Sequence, residues 1–266
     1  SDGVAAGARS LGAILGLLDV RGGDGQDTLS LDDKDDLADN EGELTDRQIL
    51  GLGMGSSDPL EKRLDRGVLY ATMESVSVRL GGGDDRFTVS GLEVGVGARI
   101  RAGEGADVLV VDDVADIEGS LLLHGFCGCS GVFEGNLGDR LEIRAAEALG
   151  LTLDAPTATQ GRLRVAGGTG EIQFNQLDST LSNALQITMA DVGSDSLTVQ
   201  GTTVPVRVET GSGVNLVTVE DNQDLLTVIL GDLTDVVAVK NTTAGLSIDG
   251  TAGGGGERVA FRDLRQ

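Results

Sequence analysis

The chain is poor in the residues on which most cores and binding sites rely. Among 266 residues there are no Trp, one Tyr (Tyr70), one His (His124), three Pro and two Cys. With aromatics at 2%, the stacking platforms used for sugars and bases have almost no raw material. So few prolines exclude collagen and Pro-rich disorder. Cys127 and Cys129 stand one residue apart, which excludes a disulfide framework and leaves a free or intermolecularly bonded thiol pair. No apolar run reaches the length of a membrane-spanning helix. The opening stretch "SDGVAAGARSLGAILGLL" has neither Met nor the charged and apolar regions of a signal peptide, so a piece excised from a longer chain is expected. Positive charge is scarce as well: 20 basic residues face 43 acidic ones, a formal charge of −23. Such a surface repels nucleic acid and anionic membranes, and itself unless cations neutralise it.

What the chain has in excess is glycine, 42 residues, well over the roughly 7% of ordinary usage. That implies a tight turn every few residues. The turns are periodic. Counting from Asp27, a frame of acid or amide, any residue, apolar, any, apolar recurs at Asp85, Asp107, Asp139, Asp195, Asn215, Asp235 and Glu257, with a degenerate copy at Gly170. The shorter intervals are 20 to 22 residues, as from 85 to 107 and from 195 to 215. Period-2 alternation after each anchor reads as a strand with one buried face. A second strand precedes most turns, as in "LLDVRGG", "SVSVRLGG" and "RLRVAGG".

A unit of this length cannot bury a core alone, so copies must stack. The expected fold is all-β: a right-handed parallel β-solenoid, β-helix or β-roll-like, of about 20–22 residues per coil with insertions. Leu29/Leu31, Phe87/Val89, Leu109/Val111, Val217/Val219 and Val237/Val239 are its expected core ladders. One continuous solenoid divides into coils at 1–123 with an acidic insertion at 32–74, irregular middle coils at 124–192, and coils at 193–266. The insertion is expected to hold one further coil and an exposed acidic loop. "RAAEALG" (144–150) is the one segment expected to make a helical turn.

The turn "GGDGQDTLS" (22–30) fits the nonapeptide G-G-x-G-x-D-x-U-x, U being a large aliphatic, at every specified position. "LGGGDDRFT" and "AGEGADVLV" each miss one glycine, and "TGSGVNLVT" also has Asn in place of Asp. These turns resemble the RTX-type (haemolysin-type) calcium-binding repeat. The wider phrase from "LGAILGLLDV" to "LGGGDDRFTV" is similar to long repeats of very large bacterial surface and adhesin-like proteins. Ca²⁺ takes six to eight oxygens, which inward-curled carbonyls and aspartates supply. Asp27, Asp85 and Asp107 are therefore the first-choice ligands; Asp24, Asp84 and Glu104, at the variable turn position, are secondary. The tandem typical of that family is broken here, so the turns at 85 and 107, on adjacent coils, can share an ion, whereas the turn at 27 lacks a neighbour.

Other motifs carry less. "GGDGQD" precedes a strand and not a helix, which rules out a dinucleotide fingerprint. "HGFCGC" supplies too few ligands for zinc, and "NTT" at Asn241 is a glycosylation triplet only in a eukaryotic secretory route. Arg79, Arg99, Arg101, Arg164 and Arg207 alternate with apolar residues and read as outward strand positions, solvated and often near acids. The expected function is non-enzymatic: a calcium-stabilised structural module of a large extracellular or cell-surface protein, an adhesin stalk, spacer or filament block. Its partners would be adjacent modules of the same chain or identical subunits end to end, with no nucleic acid and no membrane insertion. The alternatives are a solenoid binding cell-surface polysaccharide or another partner, for which 32–74 is the best site, and a solenoid polysaccharide lyase or hydrolase.

Overall fold

A computed structural model describes residues 10–55, 66–125, 138–250 and 256–261. They form β-strands and two short 3-10 turns, Leu11–Ala13 and Val114–Asp116. The strands make two sheets of eleven. Sheet A runs Leu17–Arg21, Gly67–Ala71, Gln48–Gly51, Glu41–Leu44, Arg86–Val89, Val108–Val111, Arg140–Arg144, Leu185–Thr188, Val206–Glu209, Leu226–Ile229, Leu246–Asp249. Sheet B runs Thr28–Asp32, Ser75–Arg79, Gly97–Arg101, Ser120–His124, Glu171–Asn175, Gln160–Val165, Gly150–Thr157, Ser196–Val199, Leu216–Val219, Val236–Val239, Arg258–Phe261. Apart from two inserted hairpins, the chain crosses from one sheet to the other at every turn, and each strand pairs in parallel with the one a coil later. The fold is thus all-β with two long, mostly parallel sheets, compatible with a solenoid.

The period-2 pattern explains the core. Register stacks like on like: Phe87, Leu109, Leu141, Leu185, Val206 and Leu226 form one column through sheet A. Leu197, Val217 and Val237 form a counterpart in sheet B. All are buried, each worth roughly 1.5–3 kcal/mol on removal from water. Of the expected ladders only Leu29 is no more than half-buried, at the outermost strand of sheet B.

The insertions depart from the expected coils. Within 32–74 the chain does not wind a further coil; Glu41–Leu44, Gln48–Gly51 and Gly67–Ala71 fold back antiparallel inside sheet A, and residues 56–65 lie outside the described residues. Gly150–Thr157, Gln160–Val165 and Glu171–Asn175 do the same in sheet B. Each insertion adds two strands, the first insertion to sheet A and the second to sheet B. Both junctions are sealed by a phenylalanine over a glycine. A Cβ on Gly42 would meet the Phe87 ring at 2.6 Å, and one on Gly161 the Phe174 ring at 2.1 Å. "RAAEALG" makes no helix: its first residue ends a strand and the rest is a turn leading into Gly150–Thr157.

Candidate functional site

In sequence the acidic anchors form one series; in space they form two columns. The turns leading from sheet B to sheet A carry Asn40, Asp85, Asp107 and Asp139. Those leading from sheet A to sheet B carry Asp27 at one end of the stack and Asp195, Asn215 and Asp235 towards the other.

Each column answers the same need. Where a strand begins, a buried backbone N–H requires an acceptor, and the anchor of the following coil reaches back to supply it. Asn40 N–H donates to Asp85 Oδ1 (2.8 Å), Asp85 N–H to Asp107 Oδ1 (2.8 Å) and Asp107 N–H to Asp139 Oδ1 (3.0 Å). In the other column Leu149 N–H donates to Asp195 Oδ1 (2.6 Å), Asp195 N–H to Asn215 Oδ1 and Asn215 N–H to Asp235 Oδ1 (both 2.9 Å). Asp and Asn are short enough to span one coil spacing, which accounts for the fixed residue type. Hydrogen bonds to charged acceptors of this kind contribute about 1.5–3 kcal/mol each.

The second oxygens differ. Asp85 Oδ2 accepts from Gly81 N–H (3.1 Å), and Asp195 Oδ2 from Ala190 N–H (2.9 Å). Asp235 Oδ2 accepts from Gly231 N–H (3.0 Å) and Thr210 Oγ1 (2.6 Å). Asn215 instead donates through Nδ2 to the Thr210 carbonyl (2.9 Å). Asp107 Oδ2 is buried without a hydrogen-bond partner, in a residue that is 0% exposed. Burial pushes the Asp107 carboxyl up to about 8, against its bond from Asp85 N–H, with Asp139 and Asp85 adding repulsion. Burial likewise lifts Asp85 to about 6, opposed by the N–H groups of Asn40 and Gly81. Asp195 is raised, again by burial.

The glycines belong to the stacking of turn on turn. A Cβ on Gly103 (φ +117°) would lie 2.1 Å from the Gly81 carbonyl oxygen, and one on Gly105 2.2 Å from that of Gly83. Asp84 and Glu104 are exposed on these turns. Asp84 Oδ1 accepts from Ala106 N–H (2.9 Å), and Glu104 N–H donates to the Gly81 carbonyl (3.1 Å). Four of the six candidate ligands, Asp84, Asp85, Glu104 and Asp107, therefore share one pair of stacked turns. Asp27 and the exposed Asp24 sit on the other set, against residues 72–74, which contain no glycine. Asp27 N–H donates to Glu74 Oε2 (2.7 Å), and Asp27 Oδ2 is buried and unpartnered.

Measured against the six to eight oxygens of a calcium ion, the 80–85/102–107 pair offers one unengaged carboxylate oxygen, Asp107 Oδ2, on turns whose backbone carbonyls stack closely. It offers none through Asp85, whose two oxygens are engaged by N–H groups. Among the described residues no three His, Cys, Asp or Glu side chains converge as a metal group, so backbone carbonyls would supply most of the shell. A carboxylic acid with a pKa near 8 suits general acid work, but in this packing Asp107 offers no atom for a substrate to touch.

Sequence reasoning missed a second set of polar corners. Thr202 Oγ1 accepts from the N–H groups of Gln223 (3.0 Å) and Asp224 (2.8 Å), and Asn222 Nδ2 donates to the carbonyls of Asp224 and Gly245. Their spacing of 20 residues, in "GTT" and "EDN", was the available signal. Asp178 closes the first column by accepting from Gly138 N–H (2.9 Å). Burial there is outweighed by bonds from Thr180 and Gly138, so its pKa falls. Cys127 and Cys129 lie outside the described residues. Asn241 stands on an exposed turn, with Nδ2 donating to Asp221 Oδ1 (3.2 Å).

Compared with known proteins, the chain matches no family model, no curated protein and no solved structure.

Proposed function

We propose that this chain is a right-handed parallel β-solenoid acting as a structural module of a large extracellular or cell-surface protein, stabilised by calcium at the 80–85/102–107 turns. The observation that carries the calcium reading is the orphaned, fully buried Asp107 Oδ2, on a turn whose Gly103 and Gly105 stack against the carbonyls of Gly81 and Gly83. The RTX-type resemblance of these turns supports the same ion. A bound cation would neutralise carboxylates that repel one another and lock two coils in register.

The mechanical role is supported by the build of the stack. Aliphatic columns run along both sheets, and the outermost strands pair on one side only among the described residues. Leu15, Leu17 and Leu18 are exposed at one end, Leu15 by 75%. Open strand edges with apolar neighbours favour continuation by another module of the same chain or an identical subunit. Calcium added to EDTA-treated protein at neutral pH tests the reading through the melting temperature. Occupancy at about 100 times Kd corresponds to about 2.7 kcal/mol per site, a rise of several degrees; an unchanged melting temperature removes calcium from the account.

A further inference from the structure

The outer face of sheet B carries an arginine cluster that the reading above does not use. Arg79, Arg101 and His124 are register neighbours on three adjacent strands, roughly 4.8 Å apart strand to strand. Arg99 lies on the same face, two residues before Arg101. In a chain of net charge −23, several other outward arginines are neutralised. Arg162 meets Asp154 at 2.7 Å, Arg86 meets Glu142 at 3.0 Å and Arg207 meets Glu209 at 2.9 Å. Among the described residues Arg79, Arg99 and Arg101 make no ion pair, and Arg79 Nε is buried without a partner. Along the row of Arg79 and Arg101 the one acid is Asp32, directly opposite Arg79 on the outermost strand, whereas Arg99 lies in the neighbouring row between Ser77 and Leu122. The charge is felt locally: Arg99 and Arg101 add to burial in lowering the His124 pKa. Like charges directly opposite on paired strands destabilise a sheet, so the arrangement costs stability unless an anion completes it.

We infer that the outer face of Ser75–Arg79, Gly97–Arg101 and Ser120–His124 binds an acidic polysaccharide, its carboxylate or sulfate groups received by Arg79, Arg99 and Arg101. The face is an open sheet surface without aromatic rings, which disfavours recognition of neutral sugars by stacking. The row crosses the strands at a spacing close to one sugar unit, so a linear chain with one charge per sugar meets Arg79 and Arg101 in succession, with Arg99 flanking them on the same face. A nucleic-acid duplex, far denser in charge, meets the strongest repulsion from the rest of the surface.

The test is binding of polygalacturonate, neutral dextran and duplex DNA to the whole chain in EDTA at low ionic strength. EDTA removes cation bridging between two acidic polymers and separates this inference from the calcium reading. Polygalacturonate is expected to bind, to weaken as salt is added, and to lose about tenfold or more in affinity in the Arg99→Gln/Arg101→Gln double variant. Arg207→Gln, on the other sheet, is expected to bind as the parent does. The double variant should melt no lower than the parent, which separates lost binding from lost folding. No binding, an undiminished affinity in the double variant, equal binding of dextran, or tighter binding of DNA through the same arginines would each overturn the inference.

Discussion

The two anchor columns meet one structural demand with different chemistry. Towards the carboxyl-terminal end, three successive rungs are Asp195, Asn215 and Asp235. The neutral amide separates the charges, and Thr210 and Gly231 occupy the last carboxylate. Nearer the amino terminus, Asp85, Asp107 and Asp139 are carboxylates on adjacent coils, and one oxygen of the middle rung is buried alone. An amide rung is self-sufficient, whereas a carboxylate rung at that depth holds a proton or needs a cation. The difference makes the amino-terminal region the more sensitive to pH, although burial raises Asp195 in the other as well.

The largest expected effect is on pH. Folded, Asp107 keeps its proton up to about 8; unfolded, it releases it near 3.8. Between those values the folded chain binds more protons, so stability falls as pH rises. Asp85, lifted to about 6, adds to the fall over the lower part of that window. From pH 5 to 8.5 without divalent cations, denaturant titration should show a loss on the order of 3–5 kcal/mol. Asp107→Asn should collapse the distinction. The amide keeps Oδ1 as acceptor and offers Nδ2 to a turn carbonyl, as Asn215 does. At pH 8 in EDTA this variant should be more stable than the parent by about 2–3 kcal/mol, with a flatter pH profile and a diminished calcium response. Asn215→Asp builds the opposite case, placing a carboxylate between Asp195 and Asp235. A loss of about 1–3 kcal/mol at pH 8, shrinking towards pH 4 in the same titration, is expected. Smallest is Thr210→Val, which removes the hydroxyl that serves Asp235 Oδ2 and Gly231 N–H; about 1–2 kcal/mol should be lost in thermal melts.

The all-β stack was legible because its signals are local. Asp107, Leu109 and Val111 stand at fixed offsets, and a two-residue period admits few alternatives to a strand. Strand direction was not legible: Gln160–Val165 alternates as the parallel strands do, yet it is an antiparallel insertion. Gly42 and Gly161, glycines without a turn, were the physical clue, since each leaves room for a phenylalanine on the next strand. The adjacency of the 85 and 107 turns could be read from spacing. The splitting of the anchors between two corners could not, because a strand of either sheet begins with the same unsatisfied N–H and recruits the same side chain. Likewise "solvated and often near acids" held for Arg164, which meets Asp154 at 2.7 Å, and for Arg207. It failed for Arg99 and Arg101, whose cross-strand neighbours become visible only with the register, while Arg79 stands opposite Asp32 without an ion pair among the described residues.

Backbone hydrogen exchange at neutral pH, with EDTA and then with calcium, tests the central contrast most directly. Calcium should slow exchange at Asp85, Ala106, Asp107 and Val108 while leaving Asp195, Asn215, Leu216 and Val236 unchanged. Equal slowing in both columns, or none in the first, would contradict the claim that only the carboxylate column awaits a cation.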